Sequence, residues 1–136
     1  MNFNHLNHIG VAVKDMEKTK DFLKRNFEAE LIHEMISKEQ GIHSALVSLG
    51  ELKFELMSPI NGEGLIQEFI NQRGEGIHHL SFQVEDLQST KSFLEEKGFK
   101  IIKQPSEVPG IEGIFLHPKS FLGLLVELFQ RFEEGS

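Results

Sequence analysis

The chain has no cysteine, no tyrosine and no tryptophan in its 136 residues. The missing thiols exclude disulfides and thiolate metal sites, and they fit a reducing compartment. The missing tyrosine removes the phenol as a general acid, and aromatic burial falls to 12 phenylalanines. Positive charge is also short: 14 Lys and Arg against 21 Asp and Glu leave a net charge of −7. With no basic stripe to offset it, that balance argues against a nucleic-acid partner. No apolar run reaches the roughly 18 residues needed to span a bilayer. The N-terminal segment MNFNHLNH lacks a signal-peptide pattern. The expectation is a cytoplasmic protein with no membrane partner. A glycine-rich phosphate loop is absent too.

What the chain does have is an internal repeat. Residues 8–24, HIGVAVKDMEKTKDFLK, align with residues 79–95, HLSFQVEDLQSTKSFLE. Histidine leads both copies, and Val13/Val84, Asp15/Asp86, Thr19/Thr90, Phe22/Phe93 and Leu23/Leu94 coincide. Further on, KFEL at 53–56 pairs with LVEL at 125–128, so the offset passes from 71 to 72 and absorbs one insertion. Repeats of this kind decide the fold class before any single element does. Each half reads as a strand, a helix and three strands. In the first copy the strands are expected at about 6–13, 29–36, 43–49 and 52–58, and in the second at about 77–84, 99–103, 112–117 and 123–130. Helices are expected at about 16–26 and 87–97, started by Asp15 and Asp86 as N-caps, with Gly98 stopping the second. Gly50-Glu51 suits a tight hairpin turn. The expected fold is α+β: two tandem βαβββ modules, about 5–60 and 76–130, joined by a linker helix at about 64–73, in one domain spanning 1–136.

Four residues stand out on this frame. His8 precedes Glu55 by 47 positions, and His79 precedes Glu127 by 48. Imidazole and carboxylate are the usual ligands of borderline divalent metals. Strand alternation puts His8, Gly10 and Ala12 on one face and Ile9, Val11 and Val13 on the other. The second copy separates His79, Ser81 and Gln83 from Leu80, Phe82 and Val84 in the same way. Glu55 alternates with Phe54 and Leu56, and Glu127 with Val126 and Leu128. All four candidates therefore share the face opposite the bulky apolar side chains, where a ligand has room. Such a doubled pattern suggests one metal held by two copies of one module. His78 must point the other way from His79 and is assigned to packing. His5, His33, His43 and His117 have no repeat partner and are read as surface or structural residues.

The segments HIGVAV (8–13), EQGIHSALVSLG (39–50), ELMSP (55–59), GEGIHHLSFQVED (74–86) and FLHPKSFLGLLVEL (115–128) resemble the vicinal oxygen chelate superfamily, and within it the methylmalonyl-CoA epimerase branch. The resemblance implies a cupped, open, barrel-like sheet of eight strands around one divalent ion. It implies His8, Glu55, His79 and Glu127 as the ligands, a homodimer, and an acyl-CoA thioester substrate. The implied reaction exchanges the α-proton of methylmalonyl-CoA between its R and S forms through a metal-stabilised enolate. The donor set suits cobalt, nickel, zinc or manganese. Glu127 is the first candidate for the base. Some epimerases carry a second base, a Glu, three residues after the Gly of the EQG motif, where this chain has Ser44. The proton carrier on the opposite face stays open between Glu55, His43 and a water held by Ser44, with alternation placing His43 away from Ser44. Lys119 and Ser120 of the HPKS segment are expected at the substrate head, and Lys53, Arg73 and Lys103 at the CoA phosphates. Two alternatives share the superfamily: a glyoxalase I-like lactoylglutathione lyase acting on a hemithioacetal, and a non-catalytic small-molecule-binding protein of the bleomycin-resistance type. The HPKS and EQG segments argue against the first, and the four retained ligands against the second.

Overall fold

The computed structural model describes residues 3–103 and 110–132. Along the chain run β1 (Phe3–Ala12), α1 (Met16–Phe27), β2 (Glu30–Ser37), β3 (Ile42–Leu49), β4 (Leu52–Pro59), α2 (Leu65–Arg73), β5 (Gly76–Val84), α3 (Leu87–Glu96), β6 (Ile101–Lys103), β7 (Ile111–Leu116), a short 3-10 turn (Pro118–Ser120) and β8 (Val126–Arg131). The order is βαβββ, twice, with α2 between, as the repeat predicts. Among the described residues, no helix is long and apolar enough to cross a membrane.

Both repeated helices start as expected. The Asp15 carboxylate accepts the Lys18 N–H at 3.0 Å, and the Asp86 carboxylate accepts the Ser89 N–H at 3.1 Å. Each Asp carbonyl also accepts a threonine hydroxyl at 2.8 Å, from Thr19 in one copy and Thr90 in the other. These bonds satisfy donors that a helix N-terminus otherwise leaves open. The hairpin joining β3 and β4 turns through Gly50, whose φ of 60° favours glycine.

The chain divides into two compact units, His8–His78 and Met1–Asn7 with His79–Ser136. In the first, the strand order is β2-β3-β4-β1. The β2–β3 and β3–β4 pairs are antiparallel, and β4 runs parallel to β1 with Gly10 opposite Glu55. One face packs Val13 and Met16 against Ala45, Val47 and Leu56, with Leu23 of α1 added to the cluster. The other face carries Ala12 and Met57 beneath Ile66 and Ile70 of α2. That second cluster refines the sequence reading: the histidine face is not open along its whole length, because the linker helix covers its far end.

In the second unit the order is β5-β8-β7-β6, with β5 parallel to β8 and Ser81 opposite Glu127. Its core joins Leu87 and Leu94 of α3 to Val84, Ile114, Leu116, Val126 and Leu128. Two strands start later than the sequence predicts. β6 begins at Ile101 because the Phe99 N–H still bonds back to the Leu94 carbonyl at the end of α3. β8 begins at Val126 because the preceding residues close a turn, in which the Gly123 N–H meets the Pro118 carbonyl at 2.9 Å and Leu122 sits at φ 54°.

Candidate metal and proton-transfer site

Two parallel strand pairs carry the four candidates, one pair in each unit. In the first, β1 supplies His8 and β4 supplies Glu55. His8 Nε2 and Glu55 Oε1 stand 3.9 Å apart, too far for a hydrogen bond. Two donors each about 2.1 Å from one ion can be at most ~4.2 Å apart, so the separation suits a shared ion. Burial, helped by the positive charge of Lys53, lowers the His8 pKa to about 4. The imidazole is therefore neutral at physiological pH, which is the form that ligates metals.

In the second pair, β5 supplies His79 and β8 supplies Glu127. His79 is buried, and its ring meets Phe115 edge-on, with centroids 6.2 Å apart. The Ser81 hydroxyl donates to Glu127 Oε1 at 2.6 Å. Burial raises the Glu127 pKa, and the bond from Ser81 works against that rise. A carboxylate so placed is costly as an isolated charge and gains from a nearby cation.

Each unit thus sets one imidazole and one carboxylate on a parallel strand pair, His8 with Glu55 and His79 with Glu127. Imidazole and carboxylate match a borderline divalent ion by donor chemistry, so the residues fit the metal that the sequence implies.

Ser44 is half-buried on β3, where it pairs with Met57, two positions along β4 from Glu55. It therefore faces the same side as Glu55. His43 does not: its Nε2 lies 2.5 Å from Glu34 Oε2, the oxygen that also receives Lys20 Nζ at 2.7 Å. This cluster ties α1 to β2 and β3, so His43 is removed from the candidate proton carriers. His78 packs edge-on against Phe69 of α2, and Arg73 lies over the same ring. The packing role expected for His78 holds, and Arg73 has a structural contact.

In the HPKS segment, His117 Nδ1 accepts the Lys119 N–H at 3.1 Å and caps the 3-10 turn. The Lys119 side chain is exposed, while Ser120 Oγ accepts the Lys100 N–H. The side chain of Lys103 lies outside what the structure describes. Sequence reasoning missed Ser81, Phe115 and Gly113 as site residues. Alternation does put Ser81 on the face of His79. Nothing local marks Phe115 or Gly113, which reach the site by pairing with β8.

The sequence profile of the Glyoxalase/Bleomycin resistance protein/Dioxygenase superfamily matches residues 7–115. A Bos taurus protein named mitochondrial methylmalonyl-CoA epimerase is 35% identical over 133 residues, covering 95% of this chain and 75% of that protein. The crystal structure of methylmalonyl-CoA epimerase from Mycobacterium tuberculosis superposes with a TM-score of 0.86 at 28% identity, covering 97% of this chain and 91% of that one. A structure of methylmalonyl-CoA epimerase in complex with methylmalonyl-CoA and ammonium gives a TM-score of 0.85 at 25% identity, covering 96% of each chain.

Proposed function

The chain belongs to the Glyoxalase/Bleomycin resistance protein/Dioxygenase superfamily and, within it, to the methylmalonyl-CoA epimerase family, and from that premise we propose that it epimerises methylmalonyl-CoA by moving the α-proton between the two faces of the substrate. The observation that carries this reading is the His8–Glu55 pair, whose donor atoms stand 3.9 Å apart on neighbouring parallel strands. Imidazoles at His8 and His79 and carboxylates at Glu55 and Glu127 would hold the ion, and this donor set suits cobalt, nickel, zinc or manganese. When bound, such an ion would supply Lewis acidity that stabilises the negative charge developing on the substrate.

The proton transfers fall to the chain's own side chains. Glu127 is the base on one face. Its burial raises the pKa of the carboxyl and makes the carboxylate a stronger proton acceptor. On the other face the proton returns from Ser44, or from a water that its hydroxyl orients, on the same side of the strands as Glu55. Lys119 and Ser120 bind the substrate head. The exposed Lys119 ammonium offers positive charge to an anionic acyl group, and Ser120 keeps its hydroxyl proton while accepting the Lys100 N–H. A cytoplasmic homodimer completes the proposal. The absence of cysteine supports the compartment. The exposed Leu31, Ile32 and Ile36 of β2 support a self-association surface.

The deciding experiment follows α-deuteration of racemic methylmalonyl-CoA in D₂O by NMR. Metal-loaded protein is expected to exchange the α-proton and to leave the methylglyoxal–thiol adduct unchanged. The reverse result assigns the lyase instead, and neither activity, in a folded metal-free protein, assigns the binding module.

A further inference from the structure

Glu127 and Glu55 occupy the same place in the repeat, but the residue beside each on the neighbouring parallel strand differs. On the parallel strand beside Glu127 stands Ser81; beside Glu55 stands Gly10. Ser81 is fully buried, and its hydroxyl donates to Glu127 Oε1 at 2.6 Å. That length is typical of a hydroxyl held by an ionised carboxylate. The opposite neighbour differs as well. Gly113 on β7 pairs with Phe129, as Ser44 on β3 pairs with Met57. A Cβ at Gly113 would lie 3.7 Å from Glu127 Oε2 and 3.3 Å from the Leu128 carbonyl. Oε2 thus lies over a bare Cα while Oε1 is held by a hydroxyl.

The geometry points to Ser81 as a positioning residue that holds Oε1 of Glu127 and so leaves Oε2 as the working oxygen. This inference rests on the reading of Glu127 as ligand and base. A carboxylate on a two-carbon stem has several rotamers, and one fixed oxygen removes most of them. Hydrogen bonds of this kind to a metal ligand commonly change metal affinity or activity by about 10–100-fold when removed. In the first unit the matching position is Gly10, which has no side chain to donate, so this particular contact belongs to Glu127.

The test uses the full chain as parent, S81A, S81T and E127Q, each stripped with chelator. Cobalt affinity is measured by calorimetry, α-proton exchange by NMR with kcat and KM separated, and folding by thermal melting. S81A is expected to melt close to the parent, to bind cobalt about 10–100-fold more weakly, and to lose kcat with little change in KM. S81T, which keeps the hydroxyl, is expected to recover most of the affinity. S81A with affinity and kcat both within about twofold of the parent, beside an E127Q that loses both, overturns the role of Ser81 alone. An E127Q that keeps both overturns the assignment of Glu127 itself, and the positioning role with it.

Discussion

Burial acts on His8 and Glu127 in opposite senses, and both effects suit a cation. It pushes the imidazole toward its neutral, ligating form and the carboxyl toward its protonated form. Without metal, each leaves a pH signature. The folded His8 pKa of about 4 lies below the ordinary imidazole value of 6.5. Between these values the unfolded chain binds a proton that the folded chain does not. Stability therefore falls as pH drops from 6.5 and levels off below about 4. Glu127 has the other sign: its raised pKa contributes stability at low pH that is lost as pH rises through the folded value. For His8 the full span is worth about 3 kcal/mol. Urea midpoints of metal-free protein across this window, compared with H8Q, isolate the histidine. A parent and a variant with the same pH dependence would exclude the shift.

The helices and strands owe their placement to short signals that the repeat states twice. Asp15 and Asp86 cap α1 and α3 with the same bonds, so D15A and D86A are each expected to cost about 1 kcal/mol. Denaturant unfolding reads both, and a cost confined to one copy would show that the caps are not equivalent. α3 has an additional partner, since Gln130 Oε1 of β8 accepts the Leu87 N–H at 2.8 Å. This bond crosses 43 positions and leaves no mark in the local sequence. The same holds for the late start of β8. Residues 123–125 read as strand by their apolar character, but the turn after HPKS takes the N–H groups of Gly123 and Leu124 first. β2 carries a register shift between Leu31 and His33 beside the exposed Ile32. Such a bulge disturbs a long apolar edge and discourages unspecific pairing.

For the molecule as a whole, the proposed function sets an acidic chain with a net charge of −7 against a strongly anionic substrate. A bound divalent ion reverses the local field where the chemistry happens, whatever the total charge. Protein purified without chelator is expected to carry about one divalent ion per chain. Adding that ion to the stripped protein at 100 times its dissociation constant is expected to stabilise it by about 2.7 kcal/mol. Elemental analysis and thermal melting check the two statements. A stripped protein whose melting is indifferent to cobalt, nickel, zinc and manganese would remove the metal from the mechanism.

The repeat and its alternation were enough to predict βαβββ twice, the two Asp caps and the linker helix. Those features depend on periods of two and 3.6 residues and on capping chemistry, which act between near neighbours. The pairing of Ser81 with Glu127, the diversion of His43 to Glu34, the helix over Ala12 and Met57, and the bare Cα of Gly113 beside Oε2 depend on contacts between strands far apart in the chain. One sequence without its pairings does not rank those contacts. Only the tertiary structure decided that the Ser81 hydroxyl holds Glu127, because that bond joins strands 46 positions apart in the chain.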